Sequence, residues 1–160
     1  MNTSYIDKVK LKFPEIILDS HSFRGDQTIL ISKKSVLELF KFLRDEPGLD
    51  FKFLMDLTAV DYLNRKQDRF EIVYHFYSLT HNSRLRIKAP VSENDCSIDS
   101  VSSLWKTANW YEREVWDLYG IKFNGHPDMR RILLYEEFQG HPLRKDYPIN
   151  KRQPLIGPLN

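Results

Sequence analysis

Apolar side chains recur every three to four residues in some stretches of the chain and every second residue in others, which separates helices from strands. Ile6, Val9 and Phe13 share one face of a helix expected over Thr3–Phe13, with Lys8, Lys10 and Lys12 toward its C-terminal end and Pro14 as its stop. Two short strands are expected at Glu15–Ser20 and Gln27–Ser32, joined by a turn at Arg24-Gly25-Asp26-Gln27. Val36, Leu39, Phe40 and Leu43 then follow helical spacing over Lys34–Arg44, with Ser32 or Ser35 as its cap and Glu46-Pro47-Gly48 as its end.

From Phe51 the period becomes two. Phe51, Phe53, Met55 and Leu57 alternate with Lys52, Leu54, Asp56 and Thr58, so a strand with the first set inward is expected. Arg69–Leu79 is the longest strand, with Phe70, Ile72, Tyr74 and Phe76 on one side. After a tight connection, Leu85, Ile87 and Ala89 alternate with Arg84, Arg86 and Lys88 in a half-exposed partner that Pro90 closes. Ser92–Asp99 is polar and expected as loop. Val101, Leu104, Trp105 and Ala108 suggest a helix, and Asn109 with Glu112 fits a capping box that starts a further helix over Trp110–Tyr119, closed by Gly120. Trp105 and Trp116 are expected in the core.

Strands that cluster in hairpins, instead of alternating with helices, point to an α+β fold. We expect a compact domain over residues 1–120, with a mainly antiparallel or mixed sheet packed by helices. An extended, partner-docking C-terminal segment follows over residues 121–160.

Composition narrows the chemistry. The 160 residues carry 24 basic and 22 acidic side chains, and a net charge of +2 gives no strong pull toward nucleic acid. The single cysteine, Cys96, excludes an internal disulfide framework and a self-contained iron–sulfur cluster, and its polar surroundings read as a solvent-side loop. No apolar run approaches the ~20 residues of a membrane span. The N-terminus has no signal-peptide pattern, and no glycine-rich nucleotide loop occurs.

The chemistry-bearing residues concentrate late in the chain. Glu114 and Asp117 share a helical face, Glu112 points elsewhere, and Arg113 lies four residues before Asp117, within reach of an ion pair. A mixed-sign network that orients a helix fits these residues better than paired catalytic carboxylates. His126 and His141 each precede proline. With Asp128 they could form a metal site, but His rings bonded to backbone carbonyls fit loop sequence better. Arg130-Arg131 and Arg144-Lys145 sit among seven acidic and six basic side chains between Tyr111 and Pro148, a near-neutral mixture suited to protein–protein ion pairing.

These residues form a pattern. Glu112-Arg113-Glu114, Asp117, Gly120, Gly125-His126-Pro127-Asp128, Arg130-Arg131 and Gly140-His141-Pro142-Leu143-Arg144-Lys145-Asp146-Tyr147-Pro148 resemble the signature of the 30-kDa (C) subunit family of respiratory complex I, the proton-pumping NADH:quinone oxidoreductase. The match is strong over the last third of the chain. The resemblance implies a peripheral-arm subunit with no cofactor of its own; NADH, FMN, iron–sulfur clusters and quinone would belong to other subunits. It implies packing against the quinone-site (49-kDa, D-type), terminal iron–sulfur cluster (B-type) and ferredoxin-like (I-type) subunits. It also implies peripheral attachment on the cytoplasmic side of a bacterial inner membrane, with the mitochondrial matrix side as the alternative.

Under this reading Glu112, Arg113 and Asp117 hold the last helix, and Gly120, Gly125 and Gly140 permit turns near the partner. Arg130, Arg131, Arg144, Lys145 and Asp146 make charged contacts across the interface. Some relatives extend further or are fused to the quinone-site subunit, whereas this sequence ends at Asn160. The competing readings are the equivalent subunit of a membrane-bound hydrogenase-type complex and a free-standing metal-dependent hydrolase using His126, Asp128 and His141.

Overall fold

The alternation along Phe70–Phe76 builds the centre of the molecule. In the computed structural model, which describes residues 5–154, Phe70–Ser78 (β4) pairs antiparallel with Ser83–Val91 (β5) on one side and with Phe53–Asp61 (β3) on the other. Beyond β5, Asp26–Ile31 (β2) joins in parallel and Ile17–Phe23 (β1) closes the sheet antiparallel to β2, giving the order β1-β2-β5-β4-β3. The sheet is therefore mixed, with one parallel pair, as the α+β reading allows. Thr3 and Ser4 of the first expected helix, and the last six residues of the tail, lie outside the described residues.

Helices Tyr5–Lys12 (α1) and Val36–Asp45 (α2) supply the second layer. Val36, Leu39, Phe40 and Leu43 are all fully buried, as their spacing requires. The Phe40 ring meets Tyr74 and Phe76 edge-on at 4.7 and 5.0 Å, and Trp105 closes the cluster 5.1 Å from Phe76. Truncating Phe40 there removes contacts on three sides, a loss of about 3–5 kcal/mol in a core of this kind. Neither Ser32 nor Ser35 caps α2. Ser35 takes a left-handed conformation without a side-chain cap bond, and Ser32 instead accepts from the Lys34 amide.

Several local readings give way to long-range packing. In β3 a bulge between Leu54 and Asp56 shifts the alternation, so Leu54 is buried while Phe53 and Met55 are exposed. Pro90 does not close β5: it pairs with Glu71 inside the strand, past the point where β2 stops at Lys88. A missing N–H is harmless there, because no strand remains on that side. The expected loop at 92–99 contains a strand, Ser97–Asp99 (β6). It pairs in parallel with Lys122–Asn124 (β7) and buries Ile98. Cys96 is accordingly half-buried rather than solvent-side, its Sγ 3.8 Å from the Gly120 carbonyl. Residues 101–107 form turns, and helix Ala108–Tyr119 (α3) begins one residue before the expected cap. Trp105 is buried, but Trp116 is only partly so.

Candidate docking surface

Three buried ionic centres fix α3 and the segment after it to the sheet. The first is Asp117, fully buried in the last turn of α3. Its Oδ1 accepts from Arg131 Nη1 at 2.6 Å, and its Oδ2 accepts three successive amides, Ile132, Leu133 and Leu134, at 3.1, 2.9 and 2.9 Å. Burial pushes this carboxyl toward protonation, but the Leu134 amide, Arg131 and the two other amides outweigh it. The pKa is held below the ordinary carboxylate range. The expected Arg113–Asp117 pair does not form. Arg113 reaches past its own helix to donate to the carbonyls of Arg130 and Arg131 at 3.0 and 2.7 Å. Arg131 completes the clasp by donating to the Phe138 carbonyl at 2.6 Å.

The second centre is Arg69, a residue that no local pattern singles out. It is 5 % exposed, immediately before β4, and donates to Asp61 at 3.0 and 2.8 Å and to Asp146 at 3.0 and 2.7 Å, with Glu93 as a third carboxylate. Asp61 also accepts the Lys145 amide at 2.8 Å. Burial raises the Asp61 pKa, and Arg69 with the Lys145 and Leu63 amides more than reverses it. The one sequence hint was charge at two strand ends among apolar neighbours. The partner Asp146 lies 77 residues from Arg69, beyond the reach of any spacing rule.

Glu112 is the third. The capping box is absent: the carboxylate turns inward, accepting Ser100 Oγ at 2.6 Å and the Val101 amide at 2.7 Å, with His126 Nε2 4.0 Å away. Desolvation dominates here and raises its pKa to about 7 against those two donors.

The two histidines bond backbone carbonyls. His126 Nδ1 accepts the Asp128 amide at 3.0 Å, so Nε2 carries the proton and donates to the Asn109 carbonyl at 3.0 Å. His141 Nδ1 donates to the Asp117 carbonyl at 2.9 Å, and burial lowers its pKa, which keeps the ring neutral. Its ring lies over Gly120, whose φ is +78° and where a Cβ would stand 2.6 Å from the imidazole. No group of three metal-ligating side chains occurs among the described residues. No described helix is long and apolar enough to cross a membrane.

The structure thus gathers Asp117, Gly120, Arg131 and His141 at the end of α3, sets Glu112 beside His126, and carries Asp146 to the sheet. Gly140 turns with φ +96° against the Tyr147 ring. Arg144 lies over the Phe70 ring, 5.0 Å from its centroid. Glu114, Gly125, Pro127, Lys145 and Pro148 face solvent, Pro142 is partly covered, and Asp128 pairs with Arg130 at the surface at 2.9 Å. With the strongest charges satisfied internally, the outward groups include large apolar ones: Trp110 is 67 % exposed, Leu133 62 % and Leu143 47 %.

Residues 29–153 match the family described as respiratory-chain NADH dehydrogenase, 30 Kd subunit. The chain is 47% identical to the NADH-quinone oxidoreductase C subunit of Geobacter sulfurreducens, over 99% of this chain and 98% of that one. It is 48% identical to the protein of the same name in Geotalea uraniireducens, over 99% and 96%. Among solved structures it resembles the trypsin-resistant fragment (1-134) of Nqo5, with 30% identity and a TM-score of 0.67 over 77% of this chain and 95% of that one. It shares its fold with a chain of an archaeal membrane-bound sulfane sulfur reductase, with 19% identity and a TM-score of 0.77 over 91% and 84%.

Proposed function

Because the chain belongs to the respiratory-chain NADH dehydrogenase 30 Kd subunit family, we propose that it is a cofactor-free peripheral-arm subunit of the proton-translocating NADH:quinone oxidoreductase. Its work is geometric. It holds the quinone-site subunit, and with it the terminal iron–sulfur and ferredoxin-like subunits, in the arrangement that electron transfer from NADH to quinone requires. Attachment is peripheral, on the cytoplasmic face of a bacterial inner membrane, through the partners.

One observation carries this reading. The segment after α3 turns its strongest charges inward, to Asp117 and Arg69, and leaves Leu133 and Leu143 outside, while Trp110 of α3 itself is also exposed. Ordering an irregular strand this firmly fixes a surface in one shape, and large apolar groups on a fixed surface supply binding energy when covered. In this reading residues 121–160 are the partner-docking segment, and residues 1–120 the body that supports it. The relatives at 47% and 48% identity favour this reading over the hydrogenase-type alternative.

The test is Leu133→Asp with Leu143→Asp in cells that assemble the complex. Loss of the chain from the purified membrane complex, with loss of NADH:quinone activity, is the expected result. Full retention and full activity would contradict it, as would NADH oxidation by the isolated chain.

A further inference from the structure

The sheet has two faces, and α2 packs on one of them. Phe40 of α2 packs on Tyr74 and Phe76, so His75 between them points to the opposite side. Arg86 stands directly across from His75 on β5, and Asp56 across from it on β3. Arg84 follows on β5 two residues before Arg86, on the same face. At this end of the sheet four strands enclose a recess of about 340 Å³, lined by these groups together with Asp26 and Met55. It opens at the start of β3, whereas the tail clasp sits at Asp61, where β3 ends. About 20 Å of strand and the thickness of the sheet separate the two.

The charges around the recess are unevenly satisfied. Lys88, further along β5, is matched by Glu71 at 3.0 Å, and Glu71 also takes Lys66 at 2.9 Å. Among the described residues Arg86 meets the Thr28 hydroxyl in a long contact, 3.4 Å, and Arg84 lies over the Tyr77 ring at 5.6 Å. Among the described residues neither guanidinium has a carboxylate within ion-pair distance. Two arginines held side by side on a rigid sheet and left without an acid match a carboxylate geometrically, each through a planar fork of donors. Asp26 and Asp56 at the rims disfavour a continuous polyanion such as nucleic acid or an anionic membrane. A peptide, which can place one acidic side chain at the arginines and an apolar one against Met55, suits the mixed rim.

We propose that this recess is a second docking site, on the face of the sheet opposite α2, for an acidic segment of another protein of the assembly. The proposal rests on the subunit reading given above, and it adds an interface that the 121–154 surface does not provide. One chain would then be gripped on two opposed sides, a bracket between neighbours rather than a cap on one of them.

The conservative pair Arg84→Lys with Arg86→Lys keeps the charge and introduces two amines. The assembled complex and the free full-length chain, each carrying the pair, are treated with an amine-acetylating reagent and with a zero-length carbodiimide. Acetylation at positions 84 and 86 is expected to slow about tenfold in the complex, as for groups covered in an interface core. Carbodiimide is expected to join one of the introduced amines to an aspartate or glutamate of a different subunit. Equal acetylation in the free chain and the complex overturns the proposal, and so do cross-links confined to this chain or to a second copy of it. A chain that never enters the complex defeats the subunit reading itself, an outcome read separately from co-purification.

Discussion

Arg131 Nη1 and Asp117 Oδ1 meet at 2.6 Å, in a pair whose carboxylate is wholly buried and whose cation is 15 % exposed. The same carboxylate gathers three consecutive amides, so one side chain of α3 fixes both the direction and the curvature of the segment that follows. Asp117→Asn halves the acceptor capacity and leaves Arg131 without its counter-charge. A loss of about 3 kcal/mol is expected for breaking a buried pair in this way. Urea unfolding measures it, and new protease cleavage between residues 128 and 150 should accompany it.

The Arg69 clasp predicts an asymmetry between its partners. Arg69→Met strands Asp61, whose side chain is fully buried, and should cost about 3 kcal/mol or more. Asp146→Asn removes a half-exposed carboxylate and should cost under about 1 kcal/mol. Equal shifts of the urea midpoint would mean that the centre does not work as a buried hub with one open side.

Glu112 gives a pH signature. Its folded pKa, about 7, lies above the ordinary 4.5 because burial opposes the charged form. The folded protein keeps a proton that the unfolded chain releases between these values. Unfolding free energy from this group is therefore greatest below pH 4.5, falls as pH rises toward 7, and levels off above it, by about 3 kcal/mol in all. Glu112→Gln, which mimics the protonated form, should flatten that slope. Asp61 and Asp117, whose pKa values are lowered, act in the opposite sense in more acid solution, where stability is lost as pH falls through their folded values.

Gly120 and Gly125 share almost the same backbone angle, φ +78° and +77°, but not the same surroundings. A Cβ at Gly125 meets nothing within 4 Å, so Gly125→Ala should cost about 1 kcal/mol from conformation alone. At Gly120 it would stand 2.6 Å from the His141 ring. Gly120→Ala should cost clearly more than that and displace the imidazole, visible as a shifted His141 ring resonance.

The strands and helices were legible wherever a periodic pattern could be satisfied by packing on one layer. Phe70, Ile72, Tyr74 and Phe76, and Val36, Leu39, Phe40 and Leu43, all lie inside as their spacing demands. The pattern misled at Phe53 and Met55, because the bulge between Leu54 and Asp56 breaks the alternation there. It misled again at Ser92–Asp99, where a three-residue strand owes its existence to a partner 25 residues later, β7.

The late motif divides in the same way. That the histidines serve backbone carbonyls was readable from the prolines and the loop setting around them. The role of Glu112 was not, since local spacing offered a helix cap while Ser100 and Val101 offered buried donors, and the buried donors won. Arg113 and Asp117 stand one turn apart yet bind groups further along the chain instead of each other.

Local order along the polypeptide was enough to settle the fold class, the core faces of α2, β4 and β5, and the family, because periodicity and contiguous motifs are properties of neighbours in sequence. Which acid meets which base, which glycine has a ring against it, and which arginines face solvent without an acid were settled only when remote segments came together. Electrostatic and steric energies depend on distance in space, and the chain sets that distance only by folding.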